Sequence, residues 1–208
     1  MRFKSARILN LSKCFAVSVI FLIGACSSED PKLTNTTEEI IMPIATISTS
    51  LGNIELELDA QSAPITTKNF IDLANAGYYE NTIFHRVIEG FMIQGGGLDK
   101  DMNNKPSGSS SITNEANNGL KNDRGTVAMA RTNDPHSATS QFFINHKDNE
   151  FLNFTSETPQ GWGYAVFGSV IKGMDIVDQI AEVNTTTVNQ YQDVPVDTIT
   201  IKSVSINE

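Results

Sequence analysis

Residues 84 to 96 read FHRVIEGFMIQGG, two largely apolar runs that meet at Glu89-Gly90, with an arginine, Arg86, set inside the first and a glutamine, Gln94, inside the second. Apolar runs of this length with a glycine at the corner predict an antiparallel hairpin. The loop length then decides which residues face one another, because a slip of one residue turns every side chain to the other face. A two-residue turn at Glu89-Gly90 pairs Ile88 with Phe91 and sets Arg86 against Ile93. A three-residue turn, Glu89 to Phe91, pairs Ile88 with Met92 and Arg86 with Gln94. We prefer the second: it gathers the two polar residues on one face and leaves Phe91 at the corner, where its ring leans over that face. On this stretch alone, Arg86 reads equally well as a surface charge with a carboxylate partner.

The surrounding chain is strand-rich. Ile54, Leu56 and Leu58 alternate with Asn53, Glu55, Glu57 and Asp59, the period of a half-buried strand. The alternation returns in Ile199 and Ile201 and again in Val204 and Ile206; the phase slip at Lys202-Ser203 predicts a bulge. Helical spacing occurs twice: between Ser62 and Gly77, with Pro64 in the first turn and Phe70, Leu73 and Ala74 on one face, and over Lys172 to Ala181, with Met174, Val177 and Ala181. Further strand-like runs occupy Thr126 to Ala130, Gln141 to Asn145 and Ala165 to Val170, separated by Gly, Asn, Asp and Ser clusters. Many short strands with two helices, and no strict strand-helix alternation, predict an antiparallel barrel or sandwich.

Residues 1–25 read as a secretory leader: Arg2, Lys4, Arg7 and Lys13 without an acid, then the apolar run Phe15 to Ile23, too short to span a bilayer. The run ends in Ile23-Gly24-Ala25-Cys26, which resembles a bacterial lipobox and implies lipidation of Cys26. Losing residues 1–25 removes four positive charges and moves the formal charge from −9 to −13. Such a balance repels phosphate backbones and anionic headgroups, which argues against nucleic-acid binding and leaves the lipid as the membrane contact. Residues 26–42 are polar and aperiodic, a flexible tether reaching about 20 Å. Residues 43–208 are expected to form one domain. The expected location is the bacterial cell envelope, lipid-anchored outside the cytoplasm, on the periplasmic face of the outer membrane or at the cell surface.

A second segment decides between the readings of Arg86. GTVAMARTNDPHSATSQFFINH, residues 125 to 146, places Gln141 and Phe143 on one face of a strand and Phe142 on the other; Phe151-Leu152 and Gly163-Tyr164-Ala165-Val166-Phe167-Gly168 follow. With FHRVIEGFMIQGG and SATSQFFIN on one chain, the sequence from about Ala45 to Ile206 resembles the cyclophilin-type peptidyl-prolyl cis-trans isomerases, most of all the bacterial periplasmic branch. The resemblance implies an eight-stranded antiparallel closed β-barrel capped by two α-helices. It also implies rotation of X-Pro peptide bonds as the activity, in the folding of exported proteins, with proline-containing peptides and unfolded chains as partners, no cofactor and a monomeric state. The alternative is a non-catalytic proline-peptide-binding module or chaperone on the same fold.

Residue by residue, the resemblance makes Arg86 the catalytic arginine and Gln94 the partner that orients it. Phe91, Met92, Phe143 and Leu152 line the proline pocket, and Ala130, Arg131 and Gln141 hold the peptide on its amino side. Phe151 stands where eukaryotic members have tryptophan and Tyr164 where they have histidine. Both keep an aromatic wall, with weak cyclosporin binding as the implied consequence. Trp162, in the Asn153 to Gly163 loop, takes no part in this assignment. Other chemistries have thin support. His85, His136 and His146 show no metal-ligand spacing, and His85 is expected to face away from Arg86. Gly95-Gly96-Gly97 is followed by no phosphate-binding Lys-Ser or Lys-Thr and reads as a strand exit, and no Gly-x-Ser-x-Gly elbow accompanies the serine clusters.

Overall fold

A computed structural model describes residues 42–207. The leader, Cys26 and nearly all of the tether lie outside these described residues. The elements are β1 (Ile44–Thr49), β2 (Asn53–Leu58), α1 (Pro64–Asn75), β3 (Thr82–Ile88), β4 (Met92–Asp99), β5 (Thr126–Met129), β6 (Phe142–Asn145), β7 (Val166–Lys172), α2 (Met174–Ala181), β8 (Thr185–Val188), β9 (Tyr191–Pro195) and β10 (Thr200–Asn207). Eight strands close an antiparallel barrel in the order β1-β10-β3-β4-β6-β5-β7-β2, and β8-β9 form a separate two-stranded sheet. Closure removes the exposed strand edges that would otherwise invite pairing with another chain.

Alternation places the core. Ile54, Leu56 and Leu58 are fully buried on the inner face of β2, as are Ile47 on β1 and Ile201 on β10. Ser203 faces Ser48 and Ile201 faces Thr49, so Lys202 is the extra residue that the phase slip requires. Helix α1 begins with Pro64 at its first position. Its free amides at Ile65 and Thr66 donate to the Glu115 carboxylate at 3.1 and 2.7 Å, so a loop acid satisfies donors that the helix leaves open. From α1, Phe70, Leu73 and Ala74 enter the core; from α2, Val177, Ile180 and Ala181 do so, and Met174 packs at the margin.

Strands β4, β5 and β6 bury both faces along their length beside the site. On β4, β5 and β6 the inward residues Ile93, Val127, Met129, Phe142 and Ile144 belong to the main core. The outward ones, Met92, Ala128 and Phe143, form a second apolar cluster with Leu152 and Val166. That outer cluster is covered by loops instead of by a helix, and it is the foundation of the site.

Two readings need correction. Gly95-Gly96-Gly97 is no exit: β4 continues to Asp99 and all three glycines are buried inside it. Neighbours are too close for side chains there, since a Cβ on Gly96 would sit 2.8 Å from the Phe142 ring and one on Gly97 2.3 Å from Gln141 Cγ. Nor does His85 simply face away from Arg86. Phe84 pairs with Gly95 and Arg86 with Gln94, so His85 is an unpaired bulge residue, and both His85 and Arg86 reach the same hollow beneath β8-β9. The β8-β9 hairpin itself was not anticipated, because Thr185 to Pro195 shows no clear apolar alternation.

Candidate active site

The β3-β4 turn sets the site. Arg86 faces Gln94 and Ile88 faces Met92, the register of the three-residue turn. The Phe91 amide donates to the Ile88 carbonyl at 3.1 Å, and Gly90 adopts φ +68° in the middle of the loop. Glycine carries that left-handed backbone without a Cβ clash. Phe91 is thereby presented over the outer face of β4 and β6.

A hollow of about 140 Å³ lies there. Its floor is Met92 and Phe143, 2 % and 4 % exposed. Leu152, Phe91 and Tyr164 form the walls, and Tyr164 meets the Phe143 ring edge-on at 5.6 Å between centroids. Ala130 and Arg131 close one end, while Arg86 and Gln94 supply the polar edge. The Arg131 guanidinium lies 4.6 Å over the Tyr164 ring and donates from Nε to the Gly163 carbonyl at 2.8 Å, so its side chain braces the wall.

Two residues named from sequence lie outside this hollow. Gln141 lines an adjoining one with Thr132, Ser137 and Thr139, which Ala130, Arg131 and Gln94 also reach. Phe151 is 74 % exposed and stacks on Phe91 at 5.6 Å, an outer rim and no wall. Trp162 packs against His136 and Phe154, consistent with leaving it out of the pocket.

The polar partners differ from expectation. Gln94 donates from Nε2 to Gln141 Oε1 at 2.9 Å, and among the described residues it makes no hydrogen bond to the guanidinium. The charged neighbour of Arg86 is Asp193, with Nε 3.6 Å from Oδ2. Asp193 belongs to the unanticipated β9, so no local pattern in the sequence signalled it. His85, beside Arg86, is 5 % exposed and its Nδ1 has no hydrogen-bond partner. Burial pulls its pKa down to about 4, a backbone hydrogen bond at Ile83 opposing and the Arg86 charge adding. It is a neutral ring at physiological pH.

Behind the pocket runs a chain of three buried asparagines that sequence reading also missed. Asn149 Nδ2 donates to Asn145 Oδ1 at 2.8 Å, and Asn145 Nδ2 donates to Asn122 Oδ1 at 3.3 Å. Their remaining donors hold backbone carbonyls of the walls: Asn149 holds Phe91, and Asn122 holds Leu152 and Tyr164. Three loops distant in sequence are thus tied to one buried polar core.

A family model described as "Cyclophilin type peptidyl-prolyl cis-trans isomerase/CLD" matches residues 44–206. The chain belongs to the cyclophilins. It is 58 % identical over 165 residues to peptidyl-prolyl cis-trans isomerase cyp18 of Streptomyces antibioticus, covering 79 % of this chain and 99 % of that one. Against peptidyl-prolyl cis-trans isomerase B of Escherichia coli (strain K12) the identity is 54 % over 165 residues, covering 79 % and 100 %. A solved Cryptosporidium parvum cyclophilin, crystallised in the presence of the dipeptide Ala-Pro, superposes with a TM-score of 0.65 at 31 % identity, covering 79 % of this chain and 99 % of that one. In this cyclophilin the two diagnostic strings fall on β3-β4 and on β6 with the loop before it, which carry Met92 and Phe143, the floor of the hollow.

Proposed function

We propose that Arg86 drives the reaction of this peptidyl-prolyl cis-trans isomerase, with the proline ring seated in the Met92-Phe143 hollow. The observation that carries this reading is a half-exposed guanidinium at the edge of a buried apolar floor. Rotation about a prolyl C–N bond meets a barrier of roughly 20 kcal/mol because the twist destroys amide resonance. In the twisted state the nitrogen becomes pyramidal and gains a lone pair that the planar amide lacks. A guanidinium donating to that nitrogen binds the transition state more tightly than either ground state, as catalysis requires. Arginine suits the role because it stays protonated and its fork offers several donors.

Phe91, Met92, Phe143, Leu152 and Tyr164 fix the ring while the acyl side turns. Gln94, Gln141, Ala130 and Arg131 receive the peptide on its amino side, and Phe151 extends the rim over Phe91. The clients are proline-containing segments of unfolded exported proteins, and the domain works as a monomer. It is tethered by a lipid on Cys26 in the cell envelope. The leader-like sequence before that cysteine supports this location.

The deciding experiment compares the wild type with Arg86→Ala on an X-Pro peptide and on proline-limited refolding. The expected loss is about 10²- to 10³-fold in kcat, with KM changed less than about threefold. Loss carried mainly by KM would favour a proline-peptide-binding module. Labelled fatty acid incorporated into the wild type and absent from Cys26→Ala supports the anchor; equal labelling of both would refute it.

A further inference from the structure

The β8-β9 hairpin stands outside the barrel, between α2 and β10, and packs against β3 through β9. Its base is closed by the Val196 amide donating to the Asn184 carbonyl at 2.9 Å, and Val194 is buried beneath it. Thr186 faces Val194 and Val188 faces Tyr191, so Thr187 alone spans Gln192 and Asp193. That is a bulge, and its second residue, Asp193, has φ +59°. A non-glycine residue in the left-handed region within a strand is strained, although aspartate tolerates it better than most residues. Bulges beside active sites characteristically re-aim a side chain.

Here the side chain is aimed at Arg86, whose Nε is 3.6 Å from Asp193 Oδ2. Both groups remain more than a third exposed, and a pair so exposed contributes little to folding. The strained backbone therefore returns no comparable stability, the pattern expected where strain serves a site. The carboxylate approaches the Nε edge. Among the described residues the terminal amino groups of Arg86 make no hydrogen bond, which leaves them for the substrate. Arg86 stands between the apolar hollow and the larger one of about 490 Å³ under the hairpin, and without a partner it is free to swing into the second.

We propose that Asp193 is a positioning residue, which holds the Nε edge of Arg86 from the β9 bulge so that its terminal donors face the proline pocket. This inference rests on the reading of Arg86 as the catalytic group. A carboxylate beside the guanidinium also offsets part of its field at the proline nitrogen. Solvent screens that loss, while misorientation of a long flexible side chain is not screened, so orientation outweighs the field.

Glycine is the informative deletion, because it suits φ +59° and removes the carboxylate without adding strain. For Asp193→Gly, kcat on an X-Pro peptide is expected to fall about fivefold, with KM and Tm no worse than the wild type. Asp193→Asn keeps an oxygen acceptor and a left-handed backbone, and is expected to return kcat to within twofold. The inference is overturned if Asp193→Gly turns over within twofold of the wild type, if its loss lies in KM, or if Asp193→Asn is as slow as the glycine variant. A fully active Arg86→Ala would instead sink the underlying assignment, so the two failures are distinguishable.

Discussion

Gln94 and Gln141 are joined across β4 and the start of β6 by a 2.9 Å hydrogen bond, and the Gln141 side chain lies flat over the backbone of Gly97. A Cβ at Gly97 would meet Gln141 Cγ at 2.3 Å and Cδ at 2.5 Å. The side chain can rotate away, and the barrel backbone is untouched by that movement. Gly97→Ala is therefore expected to fold, to lose the glutamine pair, and to raise KM about fivefold with kcat little changed. Steady-state kinetics on a peptide with an extended amino side checks this, and a wild-type KM would show that the pair has no part in binding.

The asparagine chain predicts a coupled loss. Asn145 is fully buried and Asn149 is 2 % exposed. Asn149→Ala leaves Asn145 Oδ1 without its donor, and Asn145→Ala takes one of two acceptors from Asn149 Nδ2 and the donor from Asn122 Oδ1, each at a cost of about 2 to 3 kcal/mol. The double variant should cost clearly less than the sum, because the second substitution removes an atom already left unpaired. Urea unfolding of the two single variants and the double gives the cycle. Additive losses would show that the chain is not a unit.

His85 predicts a pH dependence of stability. Its folded pKa, about 4, lies below the ordinary value near 6.5, so the unfolded chain binds a proton between these limits that the native chain refuses. Stability from this group is complete above the ordinary value, falls as pH drops through the window, and is fully lost below about 4. The shift corresponds to about 3 kcal/mol at neutral pH. Unfolding curves at pH 7.5 and about pH 4, compared with His85→Gln, test this: the variant should lose less over the same interval by roughly that amount.

Phe151 predicts a separation of binding from stability. It is largely exposed and touches the pocket only through Phe91. Phe151→Ala should leave Tm nearly unchanged, as surface substitutions do, and raise KM about threefold at unchanged kcat. A large drop in Tm would show that the ring packs in solution in a way that the Phe91 stack alone does not provide.

The match between pattern and structure was closest where neighbours in sequence are neighbours in space. The facing of Arg86 and Gln94 followed from one loop length, and the Lys202 bulge from one slip of phase. Phe142 inward and Phe143 outward followed from simple alternation. Gly96 and Gly97 escaped because the cause is crowding by Phe142 and Gln141, which are more than forty positions away. His85 escaped for a related reason, since a bulge breaks the alternation from which its direction was inferred.

Alternation and turn signals indicated an antiparallel barrel or sandwich with two helices, because strand periodicity and turn length are local properties that a linear chain displays; the closed eight-stranded barrel and the pocket residues followed from the family resemblance that two long motifs carry. Which groups surround the guanidinium was settled only by tertiary structure. Asp193 reaches Arg86 from across more than a hundred residues, and Asn122 meets Asn145 and Asn149, more than twenty positions further on, behind the walls. The reason is physical: hydrogen bonds and ion pairs depend on distances of a few ångströms, and those distances are fixed by closure of the barrel and docking of the hairpin, which no local stretch encodes.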